Sequence, residues 1–418
     1  MLARLARERV RLATRWTALS ALRRDALLYG AAALFALGLG WTSREPAQWH
    51  WGYLAVAPYS VAALAAWWAG RRERTRDSSV RILLVALVVA GAVAMPLGLE
   101  AKWRQSQPEV SVITRAGTQL SEGQDPYQAY LKNGHLVNAV RGVPAYESFF
   151  PYFPLMGVFG LPSAASHRSS GLTDARIFMT LVTLIVSGLG IGLLRASRRK
   201  KIRVAQVLLA LPTGALFLAT GGDDMPILAL SLLGIAGLQR RSNYVAGVSL
   251  GLAAAMKLTA WPLALGSLLV VRGQSDRRAW RSTSLVIAVI VALTVTPFVV
   301  KNPGAFVSNV LAFPLGLAHV TSPAASALPG HVLTTLWSPL GHVLAPLTLV
   351  VGGYIGTRYV RRHWPIDLSR LLGLLAVTFT VLICVASATR VGYVIYPLNF
   401  ALWSWVCHEA RVREPVLV

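Results

Sequence analysis

Ala219-Thr220-Gly221-Gly222-Asp223-Asp224-Met225-Pro226 stands between two long apolar stretches. An acid inside the hydrocarbon of a bilayer costs roughly 2.5 to 3.5 kcal/mol even on lenient insertion scales, so two adjacent acids at a helix end call for a reason. The surrounding composition makes the question one about membranes. Of the 418 residues, 55% are hydrophobic and only 14% charged, with a mean hydropathy of +0.53. Those values exclude an ordinary soluble domain.

Working outward from the acidic pair, apolar runs near the length needed to cross a ~30 Å hydrocarbon core recur along the chain, punctuated by arginine-rich breaks. They predict helices at about 26–41, 51–70, 80–100, 172–194, 204–219, 225–239, 243–256, 258–271, 283–300, 331–357, 369–387 and 393–408. The fold class expected is therefore all-α, a polytopic membrane protein of about twelve crossings with one large outer loop.

The net charge of +24 could indicate a nucleic-acid binder, but the cations alternate by loop. They cluster at Arg4, Arg7, Arg9, Arg11, Arg15, Arg23 and Arg24, at Arg71-Arg72-Glu73-Arg74, at Arg198-Arg199-Lys200-Lys201, at Arg240-Arg241, Arg277-Arg278 and Arg361-Arg362, and at Arg411 and Arg413. All fall on one side of the predicted helices. The positive-inside rule then expects both termini in the cytoplasm and the loops at about 101–171, 220–224, 301–330 and 388–392 outside, in a multi-pass plasma-membrane protein with membrane lipids as neighbours. No nucleic-acid partner is expected. The long basic N-terminus, without a small-residue cleavage site, does not read as a cleavable signal.

Acids follow the opposite distribution. Glu45, Glu100, Glu109, Glu122, Asp125, Glu147, Asp174, Asp223 and Asp224 all fall on the outer side, so acid or base chemistry is expected there. Cys384 and Cys407 support neither a disulfide framework nor a thiolate site, and His135, His167, His331 and His342 lack metal-ligand spacing. No metal is expected.

The 101–171 loop is far longer than a helix connection needs. Tyr127, Tyr130, Tyr146, Phe149, Phe150, Tyr152 and Phe153 with short amphipathic runs suit helices in the membrane interface, and the alternative is that these rings are interfacial anchors only. Phe149-Phe150-Pro151-Tyr152-Phe153-Pro154-Leu155 then re-enters the membrane, where broken backbone must line a cavity or be buried in protein.

Glu109, Arg115-Ala116-Gly117, Glu122-Gly123-Gln124-Asp125-Pro126-Tyr127 and Tyr152-Phe153-Pro154-Leu155 resemble the first outer loop of the GT-C polyprenyl-phosphate-sugar glycosyltransferases. The resemblance is to glycosyltransferase family 87 of actinobacteria, mannosyl- and arabinosyltransferases of the cell envelope. Gly221-Gly222-Asp223-Asp224, Gly251-Leu252-Ala253-Ala254-Ala255-Met256-Lys257-Leu258-Thr259 and Ala388-Thr389-Arg390-Val391-Gly392-Tyr393 with Tyr396-Pro397 extend it. The resemblance runs from about residue 80 to the C-terminus, with residues 1–79 as a basic tail and additional helical hairpin before a core of 80–418.

It implies an inverting transfer of a sugar, mannose or arabinose, from a polyprenyl-phosphate donor to a glycan or glycolipid acceptor on the outer face. The lipid donor is a substrate, and no further cofactor is implied. An acid near the head of the outer loop would take the acceptor proton. Glu109 is the match, with Glu where the family pattern has Asp. Tyr127 and Tyr152 would line the substrate site with Asp125.

Such chemistry needs a base, cations for the leaving phosphate and an apolar groove. Asp125, Asp223 and Asp224 stand beside Glu109 as candidate bases. Lys257, Arg390, Arg115 and Lys301 break the positive-inside pattern and are candidates for the donor phosphate. Lys257 interrupts the apolar run 243–271, which requires two short crossings with the lysine at their outer turn; otherwise it snorkels. Asp223-Asp224 could simply cap the next helix, Asp125 could serve a turn, and Arg390 could partner one of the acids. A secondary transporter or flippase suits many helices with buried charge, although no internal repeat is visible. The Glu-for-Asp departure also admits an inactive membrane assembly protein. Sugar, acceptor and oligomeric state are not encoded legibly.

Overall fold

A computed structural model describes residues 19–71, 77–166, 171–274, 276–318, 320, 324–337 and 339–413. Arg4, Arg7, Arg9, Arg11, Arg15, Arg72, Arg74 and His167 lie outside them. Among the described residues five helices are long and apolar enough to cross a membrane: Ala21–Thr42, Asp77–Trp103, Ala175–Leu193, Arg277–Lys301 and Leu368–Val385. The bent pair Arg198–Ala210 and Pro212–Thr220 makes a sixth if taken as one span. Shorter apolar helices cover Pro154–Ala165, Asp224–Gln239, Asn243–Ala254, Leu258–Gly273 and Pro303–Ala312.

Two compact units emerge, Met1–Gln105 with Arg198–Thr220, and Ser106–Ser197 with Gly221–Val418. The helix Asp77–Trp103 groups with the N-terminal hairpin, Ala21–Thr42 and Pro46–Ala69. Its chemistry explains the grouping. Pro96 has no N–H for the carbonyl of Ala92, four residues back, and the Trp51 indole donates to that carbonyl at 2.8 Å. Similarly the Tyr59 hydroxyl donates to the Ala210 carbonyl at 2.7 Å, where Pro212 bends the run expected as one helix over 204–219 by 42°. Pro339 likewise splits the helix expected at 331–357 into Pro329–Leu336 and Leu340–Arg362.

In the second unit, Asp224–Gln239 is buried almost all round, so its apolar residues cover every face. It packs against Ala175–Leu193 and Asn243–Ala254. A Cβ on Gly237 would lie 2.8 Å from the Ala246 nitrogen, so that crossing depends on a missing side chain.

The 101–171 segment is more structured than its amphipathic runs suggest. It contains the helix Pro108–Ser121 and an antiparallel hairpin, Tyr130–Lys132 with His135–Val137. The hairpin turns at Asn133-Gly134, both with positive φ, a pair that favours this geometry. Tyr127, Phe149, Phe150, Tyr152 and Phe153 are buried, which decides against the alternative that they are interfacial anchors only. Tyr127 meets Phe298 and Phe306 edge-on, Phe149 stacks on Phe313, and Phe153 packs against Trp261.

Candidate active site

Two close approaches of backbone set the frame within the second unit. Pro108 opens the helix Pro108–Ser121 and puts Glu109 in its first turn. Gly117 of that helix lies against the backbone of Gly160, where any Cβ would collide. Gly221, at φ +101°, is enclosed by the Val110 and Arg176 side chains. Only glycine meets both demands, and the turn carrying the acidic pair is thereby held against the residue next to Glu109.

The proline-broken stretch 149–155 fixes a third wall. Its backbone bonds are made at long range: Phe150 N–H to Asn309 Oδ1 at 2.7 Å, Phe153 N–H to the Met256 carbonyl at 2.9 Å, and the Tyr127 hydroxyl to the Tyr152 carbonyl at 2.7 Å. The stretch is therefore buried in protein, as its polar backbone requires. The bond to Met256 sets Tyr152 beside Lys257, whose Nζ lies 5.4 Å from the centre of the Tyr152 ring.

Lys257 occupies the turn between the short apolar helices Asn243–Ala254 and Trp261–Gly273. It does not snorkel. Its ammonium sits 2.5 Å from Asp223 Oδ2 and 2.6 Å from Asp224 Oδ1, with 14% of the side chain exposed. Asp223 stands at the N-cap position but makes no side-chain cap bond, so capping does not account for it. Tyr396 donates to Asp224 Oδ1 at 2.5 Å and shares a 2.7 Å bond with Thr259. Burial raises the Asp223 pKa to about 6; Lys257 opposes the rise, and Asp224 and Glu109 add to it. For Lys257, burial works downward and the two aspartates outweigh it, so its pKa lies well above the ordinary value.

Arg390 closes the other side. Residues 324–326 and 389 form a short parallel bridge, with Thr389 N–H to the Ala324 carbonyl at 2.7 Å and Ser326 N–H to the Thr389 carbonyl at 2.9 Å. From there Arg390 Nη1 reaches Glu109 Oε1 at 2.5 Å. Burial lowers the Arg390 pKa less than Glu109, Tyr393 and Tyr152 together raise it. Glu109 Oε2 is buried and has no hydrogen-bond partner among the described residues.

Glu109, Asp223, Asp224, Lys257, Arg390 and Tyr152 are thus brought together. Arg115 instead donates to the Glu147 carbonyl, and Asp125 accepts from the Tyr127 N–H at 2.9 Å, a turn bond. Tyr127 supports the wall through the Tyr152 carbonyl. Lys301 ends the helix Arg277–Lys301 and is exposed. The sequence reading passed over Thr259, Tyr393 and Tyr396 as site residues. Tyr393 bears electrostatically on Arg390, Lys257 and Asp224, and the three-residue spacing of the two tyrosines, from the short turn Val391–Val394 into the last helix Ile395–Arg413, was the available signal.

Three carboxylates and two cations give the site one unmatched negative charge. One carboxylate oxygen can receive a proton, and both cations keep N–H groups beyond those used by the acids. Among the described residues no group of three or more His, Cys, Asp or Glu side chains could hold a metal ion.

The family model of glycosyltransferase family 87 matches residues 150–388, a stretch that contains Tyr152, Asp223, Asp224 and Lys257. Among solved structures, ArnT from Cupriavidus metallidurans in the apo state is similar at 17% identity and a TM-score of 0.42, over 73% of this chain and 55% of that one. This chain therefore spans just over half the length of that relative. No curated protein matches.

Proposed function

Since the chain belongs to glycosyltransferase family 87, we propose that it is a membrane glycosyltransferase that moves a sugar, mannose or arabinose, from a polyprenyl-phosphate donor to a hydroxyl of an envelope glycan or glycolipid. About twelve crossings with both termini cytoplasmic would set the site on the extracytoplasmic face. The family gives a transporter or flippase reading no support. The observation that carries the proposal is the juxtaposition of the unpartnered Glu109 Oε2 with two cations on neighbouring segments.

In the proposed step the acceptor oxygen attacks the anomeric carbon as its proton passes to Glu109 Oε2. The bond from that carbon to the phosphate oxygen breaks, and the electron pair leaves with the phosphate, so one displacement inverts the centre. Arg390 and the remaining N–H of Lys257 receive the growing phosphate charge, an electrostatic task suited to a partly dry site. Asp223, Asp224 and Tyr396 orient Lys257.

The test uses purified protein in nanodiscs with labelled polyprenyl-phosphate mannose or arabinose and a membrane glycan extract. Label should move from the lipid to the acceptor. Label that stays on both donors with fresh extract would overturn the proposal.

A further inference from the structure

The first unit holds a second charge cluster. Arg81 Nε lies 2.6 Å from Asp25 Oδ2, and its Nη2 reaches Asp25 Oδ1 at 3.4 Å and Gln206 Oε1 at 3.5 Å. Arg203 Nη2 lies 3.0 Å from Asp25 Oδ1. Arg24 is next to Asp25 in the chain and close enough to act electrostatically on Arg203. Gln206 Nε2 is committed to the Tyr29 hydroxyl at 3.2 Å. Asp25 is fully buried and Arg81 nearly so.

Among the described residues the cluster holds three guanidinium groups and one carboxylate. One arginine would neutralise Asp25. Moreover, two buried donors, Arg24 Nε and Arg203 Nη1, have no hydrogen-bond partner among the described residues. Buried polar atoms in a folded protein are normally satisfied, and buried charge is normally matched. A ligand that supplies both missing charge and missing acceptors would have at least two oxygens and a negative charge.

We propose that Arg24, Arg81 and Arg203 form a binding site for a phosphate group, with Arg24 Nε and Arg203 Nη1 as its free donors. Guanidinium groups suit phosphate because their planar donors match its oxygens. With 20% of its side chain exposed, Arg203 is the point of entry. Neighbouring basic residues, Arg71 and Arg198 to Lys201, mark the side that the charge rule assigns to the cytoplasm, where the bilayer surface is negative. A phospholipid headgroup of that leaflet and free phosphate present the same chemistry. None of these residues takes part in the proposed sugar transfer, so the inference stands or falls separately.

The experiment is lipid binding to the delipidated full chain in detergent, followed by native mass spectrometry, with phosphatidylglycerol, diacylglycerol and inorganic phosphate as probes. Phosphatidylglycerol should be retained at one per chain, and diacylglycerol, which lacks the phosphate, should not. Competition by inorganic phosphate would assign the free ion as a ligand too, and its failure to compete would assign the headgroup; either outcome supports the site. Arg24→Gln and Arg203→Gln should each weaken retention by about tenfold, while Arg361→Gln, at an exposed position, should leave it unchanged. Equal retention by wild type and both variants, no retention by wild type, or an equal loss in Arg361→Gln would each overturn the proposal. Arg24→Gln leaves every bond to Asp25 in place, so it decides the matter if Arg203→Gln does not fold.

Discussion

Arg390 and Glu109, 281 positions apart in the chain, meet with Nη1 2.5 Å from Oε1. The contact uses one oxygen of the carboxylate and leaves the other buried without a partner. A structural ion pair would be better served by both oxygens. The half-used carboxylate is what the proposed mechanism needs, an oriented group with a free acceptor.

Glu109→Gln keeps the side-chain size and removes the proton acceptor. Transfer should fall by roughly 10²–10⁴-fold, the range for loss of a general base. Single-turnover assays on wild type, Glu109→Gln and Asp223→Asn separate the candidates. Normal turnover in Glu109→Gln with loss in Asp223→Asn would move the base to the acidic pair.

Arg390→Gln tests the donor phosphate. Its side chain is 31% exposed, so the change should leave the fold largely intact while affinity for polyprenyl phosphate drops about tenfold. Binding in nanodiscs measures this directly. Unchanged affinity would reduce Arg390 to a partner for Glu109.

Lys257→Met is a different kind of change, because the ammonium balances two buried acids at once. Removing one partner of a buried ion pair typically costs about 3–5 kcal/mol. The variant should be clearly destabilised, and Asp223→Asn in the same chain should restore part of the loss. Thermal unfolding of the two single variants and the double variant gives the coupling. Additive effects would mean that the pair is not coupled.

Much of this site was legible because charge in an apolar chain is expensive and therefore conspicuous. Lys257 and Arg390 break the charge pattern, and Asp223-Asp224 stands at a helix end, so each could be singled out without a fold. What could not be read was who meets whom. The pairings of Arg390 with Glu109 and of Lys257 with both aspartates depend on contacts far apart in sequence, as does the Phe153 to Met256 bond. Tyr396 was missed because a tyrosine at the head of an apolar helix looks like packing until its hydroxyl is found on Asp224. The helix breaks at Pro212 and Pro339 and the Asn133-Gly134 hairpin were written in local turn chemistry and were readable; periodicity alone passed over them.

Gly221→Ala tests whether the turn of the acidic pair must touch the Glu109 helix. A residue at φ +101° costs roughly 1–3 kcal/mol when it is not glycine, and the new Cβ would also collide with Val110. Activity should fall with no titratable group changed, and Val110→Ala should return part of it by opening space. If Gly221→Ala retains full turnover, the close approach does not position the site.

The last prediction concerns pH. Burial, with the charges of Asp224 and Glu109 set against Lys257, raises the Asp223 pKa from 3.8 to about 6. Between those values the folded chain holds a proton that the unfolded chain has released. The group's stabilising contribution is therefore complete below pH 3.8 and is lost as the pH rises through about 6. Asp223→Asn resembles the protonated form and does not titrate. The stability of wild type relative to this variant should decline as the pH is raised from about 4.5, most steeply between 3.8 and 6, and level off above about 6. Activity should move the other way in wild type, because ionised Asp223 is one of the two carboxylates holding Lys257 in place, and turnover should fall as the pH drops through about 6. Thermal unfolding of both proteins across this range reads the first effect, and initial rates at saturating donor read the second. A stability difference that stays flat with pH would show that Asp223 does not titrate near 6, and the orienting role argued for its charge would lose its support.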